Sequence, residues 1–335
     1  MTNPTELRDL IRSVVAAHPQ EGDSALSPSW ATFIELGLPG VGVAENEGGS
    51  GGSLSDVAVL VSTAAEHGVS CPLIESTVAH WILAGDGEID GSAATVALTE
   101  QNLGSDETIS ATLSNVPWAR MSQRLIVIDG AGSSRIVSLD DERVTIEPAT
   151  NISGEPRDTV RIEGFPARVL PNAPPAELVR ARLGVLWSAA LAGAANGAYE
   201  LTRRYVNERN QFGRPLADIP AVAASLATMR VYTQQQGAAL QGALSAWEGT
   251  PEPKGCLVAA AITRITAGVA AGQVAARAHQ LHGAIGITHE YPLHHLTRRL
   301  WAWRDAETSQ HSWARWLGGV VVSGGEASLW VEVSA

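Results

Sequence analysis

The stretch YVNERNQFGRP (205–215) places a cation, an amide and an aromatic ring, Arg209, Gln211 and Phe212, directly before a Gly-Arg-Pro break. If the helical run continues to 211, Tyr205, Arg209 and Phe212 share one face, because residues three and four apart are neighbours on a helix. A guanidinium matches a phosphate with two parallel donors, and a ring beside it offers a surface for stacking. The same residues also suit an ordinary helix end, where a cation complements the dipole and a Phe enters the core. The stretch alone leaves both readings open.

Two further segments carry reactive residue types. HQLHGAIGITHEYPLHHLTRRLWAWRDAETSQHSW (279–313) joins two helical runs through a Gly-x-x-Gly turn, Gly283 to Gly286, whose backbone admits close approach of a ligand. It holds six of the nine histidines, including His279, His282, His294 and His295. There is no HExxH and the acidic residues do not fall at ligand spacing, so no metal site is expected. ALTEQNLGSD (97–106) ends a β-rich run in Thr99 and Glu100 and turns through Gly104, Ser105 and Asp106. Hydroxyls and glycine are ordinary turn residues, so this segment says little by itself.

The elements that must position these residues follow from periodicity. Residues 1–88 read as a helical domain: Leu7, Leu10, Ile11, Val14 and Val15 form one stripe, Ser27-Pro28 opens a second helix and Gly37 stops it. ENEGGSGGS (45–53) is a loop, Ser55-Asp56 opens a further helix, and 71–84 reads as another. Residues 89–172 change texture. TVALTE, RLIVID, SRIVSL, RVTIEP and TVRIEG are short β-rich runs divided by turn residues, which predicts a small, antiparallel middle β-domain. Residues 173–335 return to long helices near 176–211, 218–248, 254–281 and 292–317, a C-terminal four-helix bundle. The fold class is α+β, mostly α.

Bulk properties set outer limits. The 335 residues exceed one small core, and 45% hydrophobic with 17% charged content excludes disorder. A net charge of −12 without a basic, aromatic-laced patch argues against nucleic acid. Cys71 and Cys256 are too few for a disulfide framework or a zinc site. No unbroken apolar run reaches about 18 residues and the N-terminus lacks a signal pattern, so no membrane span and a cytoplasmic location are expected. GGSGGS does not sit between a strand and a helix, which removes an NAD-binding reading.

Taken together, the three segments resemble the acyl-CoA dehydrogenases. That family's TExxxGSD is matched by Thr99, Glu100, Gly104, Ser105 and Asp106, and its R-x-x-F-G by Arg209, Phe212 and Gly213. Its Q-x-x-G-G-x-G is matched by Gln280, Gly283 and Gly286, with Ala284 replacing one glycine. EYP (290–292), Arg298, the glycine-rich loop after Glu45 and CPLIES also fit, so the resemblance spans nearly the whole chain. It implies FAD as cofactor, held across a subunit interface, and α,β-dehydrogenation of an acyl-CoA with an electron-transfer flavoprotein or similar acceptor. Arg209 and Phe212 would contact the diphosphate and adenine side of an FAD housed mainly in a neighbouring subunit. Gln280 and the Gly283–Gly286 turn would bind the same nucleotide, and Thr99 and Ser105 the flavin end of a second site.

The resemblance also implies a base at Glu307, and here the chain departs from the family. Tyr-Glu-Gly-Thr is replaced by Ala306-Glu307-Thr308-Ser309, and Asp305 is a weaker rival. The alternative base position falls near Leu183 or Gly184, where there is no carboxylate. The segment after GSD is shortened, with Trp118 as the candidate for a flavin-lining Trp. Two forms therefore stay open: a self-sufficient homo-oligomer using Glu307, or a subunit of a heterotetramer completing the site of a longer homologous partner. Shortened members of the second kind occur among actinobacterial enzymes of sterol side-chain degradation, which would make the substrate a bulky, ring-bearing acyl-CoA.

Overall fold

In a computed structural model, residues 3–19, 26–89, 93–104, 108–249, 251–306 and 308–334 are described. The chain divides into two units, Met1–Val57 with Ser70–Leu183 and Ala58–Val69 with Gly184–Ala335.

In the first unit the opening stripe forms helix α1 (Pro4–Ala17), capped by the Asn3 side chain and burying Leu7, Ile11 and Val14. Helix α2 (Ser29–Glu35) ends before Gly37, which takes the left-handed conformation at φ 67°. Helix α3 (Leu54–Glu66), of which Ala58 onward belongs to the second unit, starts at a reciprocal cap, Ser53 N–H to Asp56 Oδ2 and Asp56 N–H to Ser53 Oγ, two residues earlier than the sequence signal. Helix α4 (Leu73–Ala84) is buried on every side, its apolar residues and also Glu75, Ser76, Thr77 and His80.

The β-rich runs become β1 (Ala94–Leu98), β2 (Ile109–Pro117), β3 (Arg124–Ile128), β4 (Ser134–Ser138), β5 (Val144–Glu147), β6 (Arg157–Phe165) and β7 (Arg168–Val169). They form two sheets, ordered β1-β3-β4-β7 and β2-β6-β5. The expectation of one small antiparallel sheet is corrected on two points. Strands β1 and β3 pair in parallel, because the chain between them leaves to contribute β2 to the other sheet. Strand β2 escapes the sequence pattern since its alternation is broken by register shifts and by Asn115 at φ 59°. Leu125, Val127, Val137, Val160 and Ile162 make the shared core. Each such side chain, fully buried, contributes about 1.5–3 kcal/mol.

The second unit holds most of helix α5 (Ala176–Glu208), then a two-strand hairpin, β8 (Asn210–Gln211) and β9 (Arg214–Pro215). Helices α6 (Pro220–Ser245), α7 (Pro253–His282), α8 (Leu293–Arg304) and α9 (Gln310–Ser334) follow. The fourth expected helix, 292–317, is thus two helices with a link at 305–309. Alanine-rich α7 is central, with Ala260, Ala267, Ala271, Ala275 and Ala278 buried. By mean hydropathy α5 and the stretch Pro253–Ile287 are long and apolar enough to cross a membrane, although the sequence has no unbroken run of that length. Their most apolar windows are 89% and 61% buried inside the protein, as core helices are.

Candidate functional site

Helix α5 stops at Glu208, so Arg209 and Phe212 do not extend its face as the helical reading expects. Asn210 pairs with Pro215 and Gln211 with Arg214, and Leu216 N–H donates to Arg209 O, closing a tight hairpin. Its turn residues are Phe212 at φ 56° and Gly213 at φ 79°. Two consecutive left-handed residues are what a two-residue hairpin turn needs, and Asn-Gly is the usual choice. A Phe in that position is strained. Its ring is also 87% exposed, and Arg209 beside it is exposed.

The glycine turn lies at the end of α7. Gln280 is exposed on the last helical turn, and residues 283–287 form a short 3-10 turn that begins with Gly283 at φ 62°. Among the described residues nothing lies within 4 Å of the position a Cβ on Gly283 would take, whereas at Gly286 that position meets the His282 side chain at 2.8 Å. One face of the turn is therefore uncovered and the other is packed.

Three rings pack beneath it. Tyr205, one turn from the end of α5, stacks on His282 with centroids 4.4 Å apart, and Tyr291 meets both rings at 5.9 and 5.0 Å. Tyr205 O–H donates to the His282 carbonyl at 3.4 Å. This contact ties the root of the hairpin to the root of the glycine turn. Burial pushes the His282 pKa down, so its ring is neutral at pH 7. Nδ1 faces the Ala278 carbonyl at 2.8 Å and must carry the proton, which leaves Nε2 to accept from Tyr291 O–H at 3.2 Å. His279 is pushed down by burial too; its Nε2 meets Thr297 Oγ1 at 2.9 Å and its ring stacks with Trp301. These histidines are packing elements, and among the described residues no His, Cys, Asp and Glu cluster could hold a metal ion.

Glu307 lies outside the described residues. Its rival Asp305 is half-exposed and paired with the Arg304 guanidinium at 2.8 Å, a solvated ion pair. At Gly184, near the alternative base position, a Cβ would meet Trp313 at 3.2 Å and Ala260 at 3.3 Å, so that place is filled by packing.

In the first unit Thr99 follows β1, its N–H bonded to Ile128 O and its hydroxyl accepting from Gln101 N–H at 3.2 Å. Ser105 lies outside the described residues. What the sequence did not single out is the pair that shapes this loop. Asp129 and Arg135 form a buried ion pair at 2.6 Å, Asp129 accepts from the N–H groups of Leu103, Ala131 and Ser133, and Arg135 donates to Gly104 O. Burial opposes the Asp129 charge, yet the Ser133 N–H, the guanidinium and the other two N–H groups together hold its carboxyl below the usual range. The six-residue spacing of Asp and Arg around the DGAGS turn was the only trace of it. Trp118 is buried, in left-handed backbone, with its N–H on Pro156 O.

Residues 176–305 match the model of the acyl-CoA dehydrogenase C-terminal domain. That stretch is therefore similar to the C-terminal domain of the acyl-CoA dehydrogenases. Acyl-CoA dehydrogenase IpdE2 of Mycobacterium tuberculosis is 26% identical over 317 residues, 89% of this chain and 92% of that protein. Among solved structures, the Tcur3481–Tcur3483 steroid ACAD variant superposes with a TM-score of 0.83 at 24% identity, covering 96% of this chain and 98% of that one. The ChsE4–ChsE5 complex of Mycobacterium tuberculosis gives 0.82 at 17% identity, with the same coverage. Acyl-CoA dehydrogenases are oxidoreductases whose cofactor is FAD. An exposed guanidinium, an outward ring and an uncovered glycine turn are chemically suited to a diphosphate and a planar base.

Proposed function

We propose that this chain is one subunit of a heteromeric, FAD-dependent acyl-CoA dehydrogenase, paired with a longer homologous chain and acting on a ring-bearing acyl-CoA such as a steroid side-chain thioester. The observation that carries the reading is the hairpin: a strained, outward Phe212 beside an exposed Arg209, both at a cost to this chain unless something outside it is bound. Arg209 and Phe212 would hold the diphosphate and adenine side of an FAD housed mainly in the neighbouring subunit, with Gln280 and the Gly283–Gly286 turn on the same nucleotide. Thr99 and Ser105 would serve the flavin end of a second site. The division at 88/89 and 172/173 into helical, β and bundle domains and a cytoplasmic location belong to the same proposal.

When bound, FAD supplies the acceptor for the hydride lost from the β-carbon, and the electrons pass on to an electron-transfer flavoprotein or similar acceptor. In the reading where this chain supplies its own base, Glu307 would take the α-proton onto its carboxylate, and the electron pair of that C–H bond would form the new double bond as the β-hydrogen leaves. The steroid ACAD variant and the two-chain ChsE4–ChsE5 complex among the structural neighbours support the ring-bearing substrate and the heteromer.

A second reading, a homo-oligomer using its own Glu307, is favoured by one observation: Arg264 in the core donates to the carbonyls of Arg304, Ala306 and Thr308, which lie on both sides of residue 307 in the chain. Expression alone and with a longer homologous chain, followed by counting flavins per chain, separates the two. The heteromer predicts a colourless chain alone and a yellow complex; a yellow chain that reduces an artificial acceptor with acyl-CoA overturns it.

A further inference from the structure

Arg264 is the residue that holds the 305–309 link. It lies in the middle of α7 and is 1% exposed. Its Nη1 donates to Trp303 O at 3.2 Å, and its Nη2 reaches Arg304 O at 3.1 Å, Ala306 O at 3.2 Å and Thr308 O at 3.2 Å. The first two carbonyls end α8, and the last two flank Glu307 in the chain. Helix C-termini leave carbonyls unpaired and carry the negative end of the dipole. Most helices answer this with a glycine and a backbone cap. Here α8 ends at Asp305 in a non-helical conformation, and a buried guanidinium from another helix takes the carbonyls.

The surroundings leave Arg264 little freedom. Its stem runs beside Gly184, where a Cβ would meet Arg264 Cγ at 3.5 Å. On the far side of the link, Ser309 starts α9: its Oγ accepts from Ser312 N–H and its carbonyl from Trp313 N–H, and Trp313 is itself buried. One turn along α7 from Arg264, a Cβ at Gly268 would stand 2.6 Å from Gln310 Oε1, so α9 is seated closely there. Arg264 thus binds the backbone at Ala306 and Thr308, and the start of α9 just beyond is seated against α7.

We propose that Arg264 is a positioning residue that sets the backbone on both sides of Glu307. The function of the clamp rests on the reading in which Glu307 is the base; its existence does not. Only a planar guanidinium spans acceptors spread over six residues, since an ammonium is a point donor with a different reach. A base displaced by about 1 Å loses on the order of a hundredfold in rate.

The test uses hydrogen exchange on the full chain and turnover on the flavin-loaded assembly. In Arg264→Met, amides of a 300–312 peptide are expected to exchange roughly tenfold faster or more while peptides within α7 keep their rates; Arg264→Lys, which keeps the charge, falls between and serves if the Met variant does not fold. Unchanged exchange at 300–312 in both variants overturns the clamp. In the assembly, Arg264→Met is expected to lose about a hundredfold in kcat with acyl-CoA KM and flavin content unchanged, and to shift the pH profile of kcat. Glu307→Gln, run beside it, is expected to abolish exchange of the substrate α-proton. If Glu307→Gln is inactive but Arg264→Met keeps wild-type kcat and pH profile, the positioning role is wrong. If Glu307→Gln retains activity, the base assignment fails and the exchange data alone decide whether the clamp exists.

Discussion

Phe212 bears two costs at once: left-handed backbone and an apolar ring left in water. Nothing within the hairpin repays either, which is why the residue reads as functional rather than structural. Replacing it by glycine removes the strain. Phe212→Gly is expected to raise unfolding stability by about 0.5–1 kcal/mol, read from the denaturant midpoint, while weakening flavin retention in the assembly. A destabilised variant, or one with full flavin retention, contradicts this account. The letters R-x-x-F-G were legible in the sequence, but the conformation was not. A helix to residue 211 satisfied every local preference, and the hairpin depends on Leu216 N–H returning to Arg209 O, a pairing that no single-residue propensity reports. Arg264 was invisible for the same reason: as one arginine in an alanine-rich helix it has no local signature, and its four acceptors lie about 40 residues away.

At the scale of elements, α4 shows what burial on every side does to a charge. Glu75 on this helix is pushed up to about 7 by burial, with the Arg157 charge pulling the other way, and its Oε1 has no hydrogen-bond partner among the described residues. The folded-state pKa is raised above the ordinary value of 4.5. The neutral acid's advantage is therefore complete below pH 4.5 and is lost as pH rises through about 7. Relative to wild type, Glu75→Gln is expected to gain about 3 kcal/mol of stability between pH 4.5 and pH 8, seen as diverging urea midpoints. A pH-independent difference between the two proteins rules out the raised pKa. Element types were mostly legible here because α4 is rich in apolar residues and the strand residues alternate. Pairing was not. The parallel partnership of β1 and β3 follows from where β2 goes, and the break between α8 and α9 follows from Ser309 and a distant guanidinium.

At the scale of the whole molecule, the change of texture along the chain announced helices, β-structure and helices, and the motifs carried a resemblance to the acyl-CoA dehydrogenases. The placement of the hairpin and the glycine turn on outward surfaces was not legible, because it depends on contacts between distant parts of the chain. Within the second unit those surfaces are joined: Tyr205 and His282 tie the Arg209–Phe212 hairpin to the uncovered Gly283 turn. In the heteromeric reading this joined surface closes over a nucleotide seated in the longer partner. The direct measurement is a titration of the flavin-stripped assembly with FAD, followed by flavin fluorescence, for wild type and for this chain's Arg209→Ala. Loss of one charge-assisted contact worth about 1.5–3 kcal/mol corresponds to a Kd at least tenfold weaker, with the assembly intact by size. An Arg209→Ala assembly that binds FAD as tightly as wild type contradicts the account.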